Sequence, residues 1–218
     1  AAKRLQVVGR AGVGLDNVDT AAATSRGILV CNAPESNVVS AAEHSVGLLL
    51  ALARNVAQAH GALVEGRWER SLWTGVELLH KTIGIVGLGR VGRLVAQRLS
   101  GFDVQILAFD PFVSSESARE VNVEMVGLDE LLARSDFVTV HLPKTEDTVG
   151  LFDASRFTKF KQGAFLVNAA RGGVVVEDDL ADALDKGHLA GAALDVFDTE
   201  PKLTSPLFGR ADVVVTPH

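Results

Sequence analysis

The chain has 218 residues, 47% of them apolar, with a formal net charge of −6, enough to bury a sizeable core as one large domain or a domain plus a smaller piece. Lysines and arginines are scattered singly, which leaves neither a basic stripe for nucleic acid nor a polybasic membrane anchor, and no apolar stretch reaches the roughly 20 residues needed to span a bilayer or reads as a secretory leader. The single cysteine, Cys31, excludes an internal disulfide, has no ligand-spaced partner for a metal and suits the reducing cytoplasm.

In chain order, LQVVG reads as a strand, AGVGLDN as a glycine-rich turn, residues 18–25 as a short helix and ILVCNA as a second strand. This strand–helix–strand piece is too short for a complete domain, so residues 1–35 are expected to be the C-terminal remnant of a smaller domain. Ser40 and Glu43 in SAAE form a capping box predicted to open one long helix to about residue 64. His44 and His60 lie on faces of that helix that do not match for a metal pair, which predicts solvated or packing roles. Trp68 and Trp73 in GRWERSLWTG are predicted to pack the helix end onto a partner domain or a second subunit. From Lys81 onward, TIGIVG, VQILAF, DFVTVHL, AFLVNA, GAALDV and DVVVTP read as strands, apolar throughout as in a sheet covered on both faces. GRVGRLVAQRLSG, LDELLARS, DASRFTKFK and EDDLADALDKGH alternate with them as helices. This alternation predicts an α/β doubly wound parallel sheet over residues 36–218, the long helix included.

IGIVGLGRVGRLV places Gly87, Gly89 and Gly92 as G-x-G-x-x-G between a strand and a helix. In that setting Gly87 makes the tight turn, Gly89 lets the backbone approach a pyrophosphate, and Gly92 lets helix and strand pack closely. The helix N-terminus then offers N–H groups and a positive dipole to the phosphates, with Arg90 beside them. The next strand ends at Asp110, before Pro111, close to the spacing at which an acid reaches the ribose hydroxyls. An acid there repels a 2′-phosphate, which favours NAD over NADP.

Ligands of open α/β sheets sit beyond the carboxyl ends of the strands. To that rim the sequence delivers HLPK, NAARGG, LDVFDTEP and TPH, and with them Arg171, Glu200 and His218. A planar guanidinium suits the carboxylate of a 2-hydroxy or 2-oxo acid. A histidine titrates in the range needed to take a hydroxyl proton as hydride leaves the same carbon, and a carboxylate beside it orients the ring. His141, at the end of its strand, is predicted to serve a structural or cofactor-side role.

VVGRAGVGLDNVD, NAPESNVVSAAEH, HKTIGIVGLGRVG, AFDP, VHLPKTEDTVGL, NAARGGVV, GAALDVFDTEP and TPH together resemble the D-isomer-specific 2-hydroxyacid dehydrogenase family over nearly the whole chain. The resemblance implies a Rossmann domain following the remnant of a flavodoxin-like substrate domain, with catalytic Arg171, Glu200 and His218. It implies NAD contacts from Gly87, Gly89, Arg90, Val91, Gly92, Asp110, Pro111, Leu142, Pro143, Ala169, Ala170, Arg171, Asp195 and His218, and no metal. Arg10, with Gly12 and Arg171, falls on the substrate site, and in the branch acting on a phosphorylated acid the arginine at position 10 helps hold the phosphate. The implied reaction is NAD-dependent oxidation of 3-phospho-D-glycerate to 3-phosphohydroxypyruvate at the start of serine synthesis, in a cytoplasmic homodimer or homotetramer joined through the NAD-binding domain. A glyoxylate/hydroxypyruvate reductase, a D-lactate-type dehydrogenase and an NAD-sensing corepressor remain open as alternatives, with Arg10 favouring a phosphorylated substrate. His80 departs from the family pattern, which commonly has glycine there.

Overall fold

A computed structural model describes residues 4–15, 17–201 and 204–218; residue 16 of the glycine-rich turn lies outside them. The chain divides into two compact units, residues 1–41 and 42–218. In the first, β1 (Val7–Arg10) and β2 (Leu29–Asn32) pair in parallel across α1 (Thr20–Thr24). Asp19 caps that helix, its carboxylate accepting the Ala22 N–H at 2.7 Å. The division between the units falls inside α2 (Val38–Ala53).

The second unit is a seven-stranded, all-parallel sheet in the order β5-β4-β3-β6-β7-β8-β9. Its strands are β3 (Thr82–Val86), β4 (Gln105–Phe109), β5 (Glu124–Met125), β6 (Phe137–Val140), β7 (Ala164–Asn168), β8 (Leu189–Leu194) and β9 (Val213–Val215). Successive strand residues feed opposite faces, so the sheet separates two cores. Leu166 of β7 and Ala192 and Leu194 of β8 pack with Leu131, Phe157 and Leu180 from α6 (Leu128–Arg134), α7 (Ala154–Phe157) and α8 (Glu177–Asp185). Ile83 and Ile85 of β3, Val167 of β7 and Ala193 of β8 join the other core. There they meet Leu48, Leu49 and Leu52 of α2 and Val95, Ala96 and Leu99 of α4 (Arg90–Leu99). This is the doubly wound arrangement the alternation predicts. Strand order runs both ways from β3, which sets a topological switch point at its carboxyl end.

Three local expectations need correction. The long helix is two helices: α2 ends at Ala53, Asn55 takes a left-handed conformation with φ 51°, and α3 (Val56–Val64) starts afresh. Asparagine adopts that conformation more readily than other side chains do, which makes the break affordable locally. Ser40 does not cap the helix, because α2 already begins at Val38. The segment read as a helix from DASRFTKFK holds only the four residues of α7, capped by Asp153 accepting the Arg156 N–H at 2.8 Å. The short strand β5 and α5 (Ser115–Arg119) have no counterpart in the sequence reading, since neither is long enough to show a period. His80 also has a left-handed backbone, φ 60°, as it turns into β3. That conformation is the physical reason glycine suits this position.

Candidate active site

Because all seven strands run in parallel, their carboxyl ends form one rim. Gly87 leaves β3 with φ 100° while its N–H donates to Phe109 O at 2.8 Å, tying the turn to the end of β4. A side chain at Gly92 would strike the Gly87 carbonyl, so α4 can start this close to β3 only with glycine there. Around Gly89 a Cβ would meet nothing within 4 Å, leaving open space at the N-terminus of α4. The turn therefore offers backbone N–H groups to an anion with no side chain in the way. Arg90 and Val91 form the first turn of the helix, Arg90 exposed and Val91 partly buried.

Asp110 stands at the end of β4, one strand over. Its Oδ2 accepts the Leu88 N–H and its Oδ1 the Phe112 N–H, each at 2.9 Å. These bonds fix the carboxylate beside the glycine turn, and each oxygen keeps a further lone pair for a ribose hydroxyl. Pro111 follows, exposed. Beyond β6, Leu142 lies partly buried and Pro143 is exposed. His141 places its Nε2 3.0 Å from Thr139 Oγ1, and burial pushes its imidazole down to about 4. A ring held neutral in this way fits the structural or cofactor-side role predicted for it.

At the end of β7, Asn168 braces the turn that carries Arg171. Its Oδ1 accepts the Ala170 N–H at 3.1 Å and its Nδ2 donates to Arg171 O at 3.1 Å. Ala169 and Ala170 are partly buried in that turn, and the Arg171 guanidinium donates to Ala170 O at 2.7 Å. Gly172 packs against the Phe197 carbonyl, so the Arg171 turn abuts the loop that carries Glu200.

Glu200 Oε1 accepts the Phe197 N–H at 2.9 Å, and Oε2 lies 2.5 Å from His218 Nδ1. One carboxylate thus holds its own loop with one oxygen and orients an imidazole with the other. A proton on Nδ1 shared with the carboxylate leaves Nε2 with the lone pair a general base needs. The pair is half exposed, with 50% of the His218 side chain and 33% of Glu200 accessible, and forms one wall of a cleft of 510 Å³ faced with Phe197, Phe208 and Val215.

Three residues to which the sequence assigned no role at the site complete the rim: Glu177, His44 and Thr216. Glu177, in the first turn of α8 and 7% exposed, accepts the Asp198 N–H at 3.1 Å and the Ser205 hydroxyl at 2.6 Å, clamping both sides of the Glu200 loop. His44 is not merely solvated or packed: its Nε2 lies 3.1 Å from both Asp195 Oδ1 and Thr216 Oγ1. Thr216 in turn donates to Asp195 at 2.5 Å. His44 is 151 residues from Asp195 in the chain, a separation over which no local pattern signals a contact.

Arg10 and Gly12 belong to the first unit. The Arg10 Nε donates to Gly14 O at 3.2 Å, and the Gly12 N–H to Arg10 O at 2.9 Å. Trp68 is 80% exposed, while Trp73 has its indole Nε1 buried. Among the described residues no group of three His, Cys, Asp or Glu side chains could hold a metal, and no helix is long and apolar enough to cross a membrane.

Residues 46–218 match the family model of the D-isomer specific 2-hydroxyacid dehydrogenase, NAD binding domain, and the chain belongs to that family. It is 56% identical over 218 residues to the D-3-phosphoglycerate dehydrogenase of Mycobacterium tuberculosis, covering 100% of this chain and 41% of that protein. It is 51% identical over 219 residues to the D-3-phosphoglycerate dehydrogenase of Archaeoglobus fulgidus, covering 42% of it. Among solved structures it is similar to the NAD-dependent formate dehydrogenase from Staphylococcus aureus in complex with NAD, with TM-score 0.89 and 41% identity over 97% of this chain and 64% of that one. The chain spans about two fifths of the length of the curated relatives it matches.

NAD is the cofactor of this domain, and the residues present fit it. The glycine turn leaves open space at a helix N-terminus for the pyrophosphate, and Asp110 is fixed beside it to receive a ribose. Along the sheet order, β4 to β9 is five strand spacings, about 24 Å, room for an extended dinucleotide across the rim.

Proposed function

We propose that the protein is an NAD-dependent oxidoreductase that converts 3-phospho-D-glycerate to 3-phosphohydroxypyruvate. The observation that carries the reading is the His218–Glu200 pair, 2.5 Å apart at the far end of a rim whose other end is a dinucleotide-type glycine turn. The substrate class comes from the two phosphoglycerate dehydrogenases, 56% and 51% identical.

Bound NAD+ supplies the hydride acceptor. Arg171 holds the substrate carboxylate through its planar fork. His218 Nε2 takes the C2 hydroxyl proton as C2 becomes a carbonyl, and the Glu200 carboxylate stabilises the imidazolium so formed. Glu200 also fixes the ring's orientation, so the proton acceptor stays in line with the reacting carbon. Arg10, with Gly12, is assigned to the substrate phosphate, and this assignment rests on the sequence motif alone. Val64, Trp68 and Leu72 are exposed, which supports the pairing of copies through this surface in a homodimer or homotetramer. The lone Cys31 is in keeping with a cytoplasmic setting.

The test is NADH formation by the purified full-length protein with 3-phospho-D-glycerate, D-glycerate and D-lactate. The reading requires turnover of the phosphorylated acid in clear preference to the other two. No NADH from any of them would overturn it, and equal rates on all three would remove the phosphate from recognition.

A further inference from the structure

Asp195 is a carboxylate with two unequal oxygens. It leaves β8 with its N–H on Asn168 O at 2.9 Å, and its side chain is only 14% exposed. Oδ1 receives two donors. The Thr216 hydroxyl bonds it at 2.5 Å, and His44 Nε2 lies 3.1 Å from both that oxygen and the Thr216 Oγ1. Among the described residues no hydrogen bond reaches Oδ2.

The three groups come from separate elements whose positions are fixed independently. Thr216 follows β9, its N–H on Leu194 O at 3.0 Å. His44 stands on α2, which is anchored to the sheet through Leu48, Leu49 and Leu52. A carboxylate held by one oxygen in this way cannot swing about its χ2 torsion, so the other oxygen keeps a constant direction. An ionised carboxylate only accepts hydrogen bonds, and the ligand group that meets Oδ2 must therefore be a donor. Asp195 stands at the end of β8, next to the strand that carries His218 and three strands from the glycine turn. On a dinucleotide laid from Asp110 toward His218, the donor at that end is the primary amide of the nicotinamide.

We propose that His44 is a positioning residue for the nicotinamide: with Thr216 it locks Oδ1 of Asp195 so that Oδ2 is presented to the carboxamide N–H. The inference rests on the NAD-dependent reading and on Asp195 as a cofactor contact. His44 itself touches neither cofactor nor substrate; it acts through Asp195. The contact is charge-assisted and shared between two acceptors, so losing it weakens the amide contact without removing Asp195.

The experiment measures binding of NAD+ and of ADP-ribose, which lacks the nicotinamide, to the full-length protein and its His44→Ala, His44→Gln and Asp195→Ala variants. His44→Ala is expected to weaken NAD+ binding about tenfold and leave ADP-ribose binding within about twofold. His44→Gln, whose amide can donate to the same oxygen, is expected to recover most of the loss. ADP-ribose also reports whether each variant is folded. Equal weakening of both ligands by His44→Ala would make the residue structural and overturn the proposal, as would no change in either. If Asp195→Ala shifts the NAD+ to ADP-ribose ratio and His44→Ala does not, only the role of His44 is lost. If Asp195→Ala leaves that ratio unchanged, the assignment of Asp195 to the cofactor fails and the proposal goes with it.

Discussion

The two ends of the rim are built from different materials. At the β3 and β4 end the candidate site is backbone: a turn opened by Gly87, a helix start allowed by Gly92 and a carboxylate held by the N–H groups of Leu88 and Phe112. At the β8 and β9 end it is side chain: Glu200 on His218, Glu177 on the loop of Glu200, and His44 with Thr216 on Asp195. At Gly87 and Gly92 a backbone site fails through sterics, because a single added carbon collides with the chain. A side-chain site fails through lost hydrogen bonds, while the fold around it stands. Substitutions at the two ends should therefore separate stability from turnover in opposite ways.

The largest effect belongs to the side-chain end. His218→Ala is expected to lower kcat by about 10² to 10⁴-fold, with the thermal midpoint little changed; steady-state kinetics with calorimetry checks both. At the backbone end, Gly92→Val must displace the Gly87 carbonyl and is expected to cost about 3 kcal/mol or more of stability. A variant with full stability and full NAD binding would break the comparison there.

Glu177→Ala tests whether the Glu200 loop is held from α8. It removes the acceptor of the Asp198 N–H and the Ser205 hydroxyl, two part-buried bonds, for a loss of about 1–3 kcal/mol. kcat should fall with it, since the loop carries Glu200, and denaturant unfolding beside kinetics reads both. A smaller effect comes from His80→Gly. Relieving a left-handed side chain and adding backbone entropy to the unfolded chain oppose each other. The net gain expected is within about 1 kcal/mol, visible as a higher denaturant midpoint.

His141 adds a pH dependence of known sign. Its folded value, about 4, lies below the ordinary 6.5, so between these limits the unfolded chain binds the proton and the folded one does not. Its contribution makes the protein less stable as pH falls from about 6.5 to about 4, with no change above that window. In His141→Gln, urea midpoints measured over that range should fall less steeply with pH.

The backbone end was the part legible in the sequence. Gly87, Gly89 and Gly92 sit together in one motif, each answering a local steric demand, and the strands that frame them are continuous apolar runs. Arg171, Glu200 and His218 were also readable, because each ends or follows a strand and parallel strands end on one rim. The braces between them were not. His44 meets Asp195 across 151 residues and Glu177 meets Ser205 across 28, and such pairings carry no periodicity. The long helix was misread for the opposite reason. Its apolar pattern continues through Arg54 and Asn55, while the break depends on one backbone torsion at Asn55.

The most direct test of a rim with a cofactor end and a proton-transfer end is a crossed measurement on the full-length protein: NAD+ affinity and kcat at saturating NAD+ for Gly89→Ala and Glu200→Gln. Gly89→Ala adds a methyl group to the open space before α4 and is expected to weaken NAD+ binding about tenfold or more while retaining most of kcat. Glu200→Gln is expected to retain NAD+ affinity while kcat falls about a hundredfold or more. Two variants that lost affinity and turnover in the same proportion would contradict this division of the site.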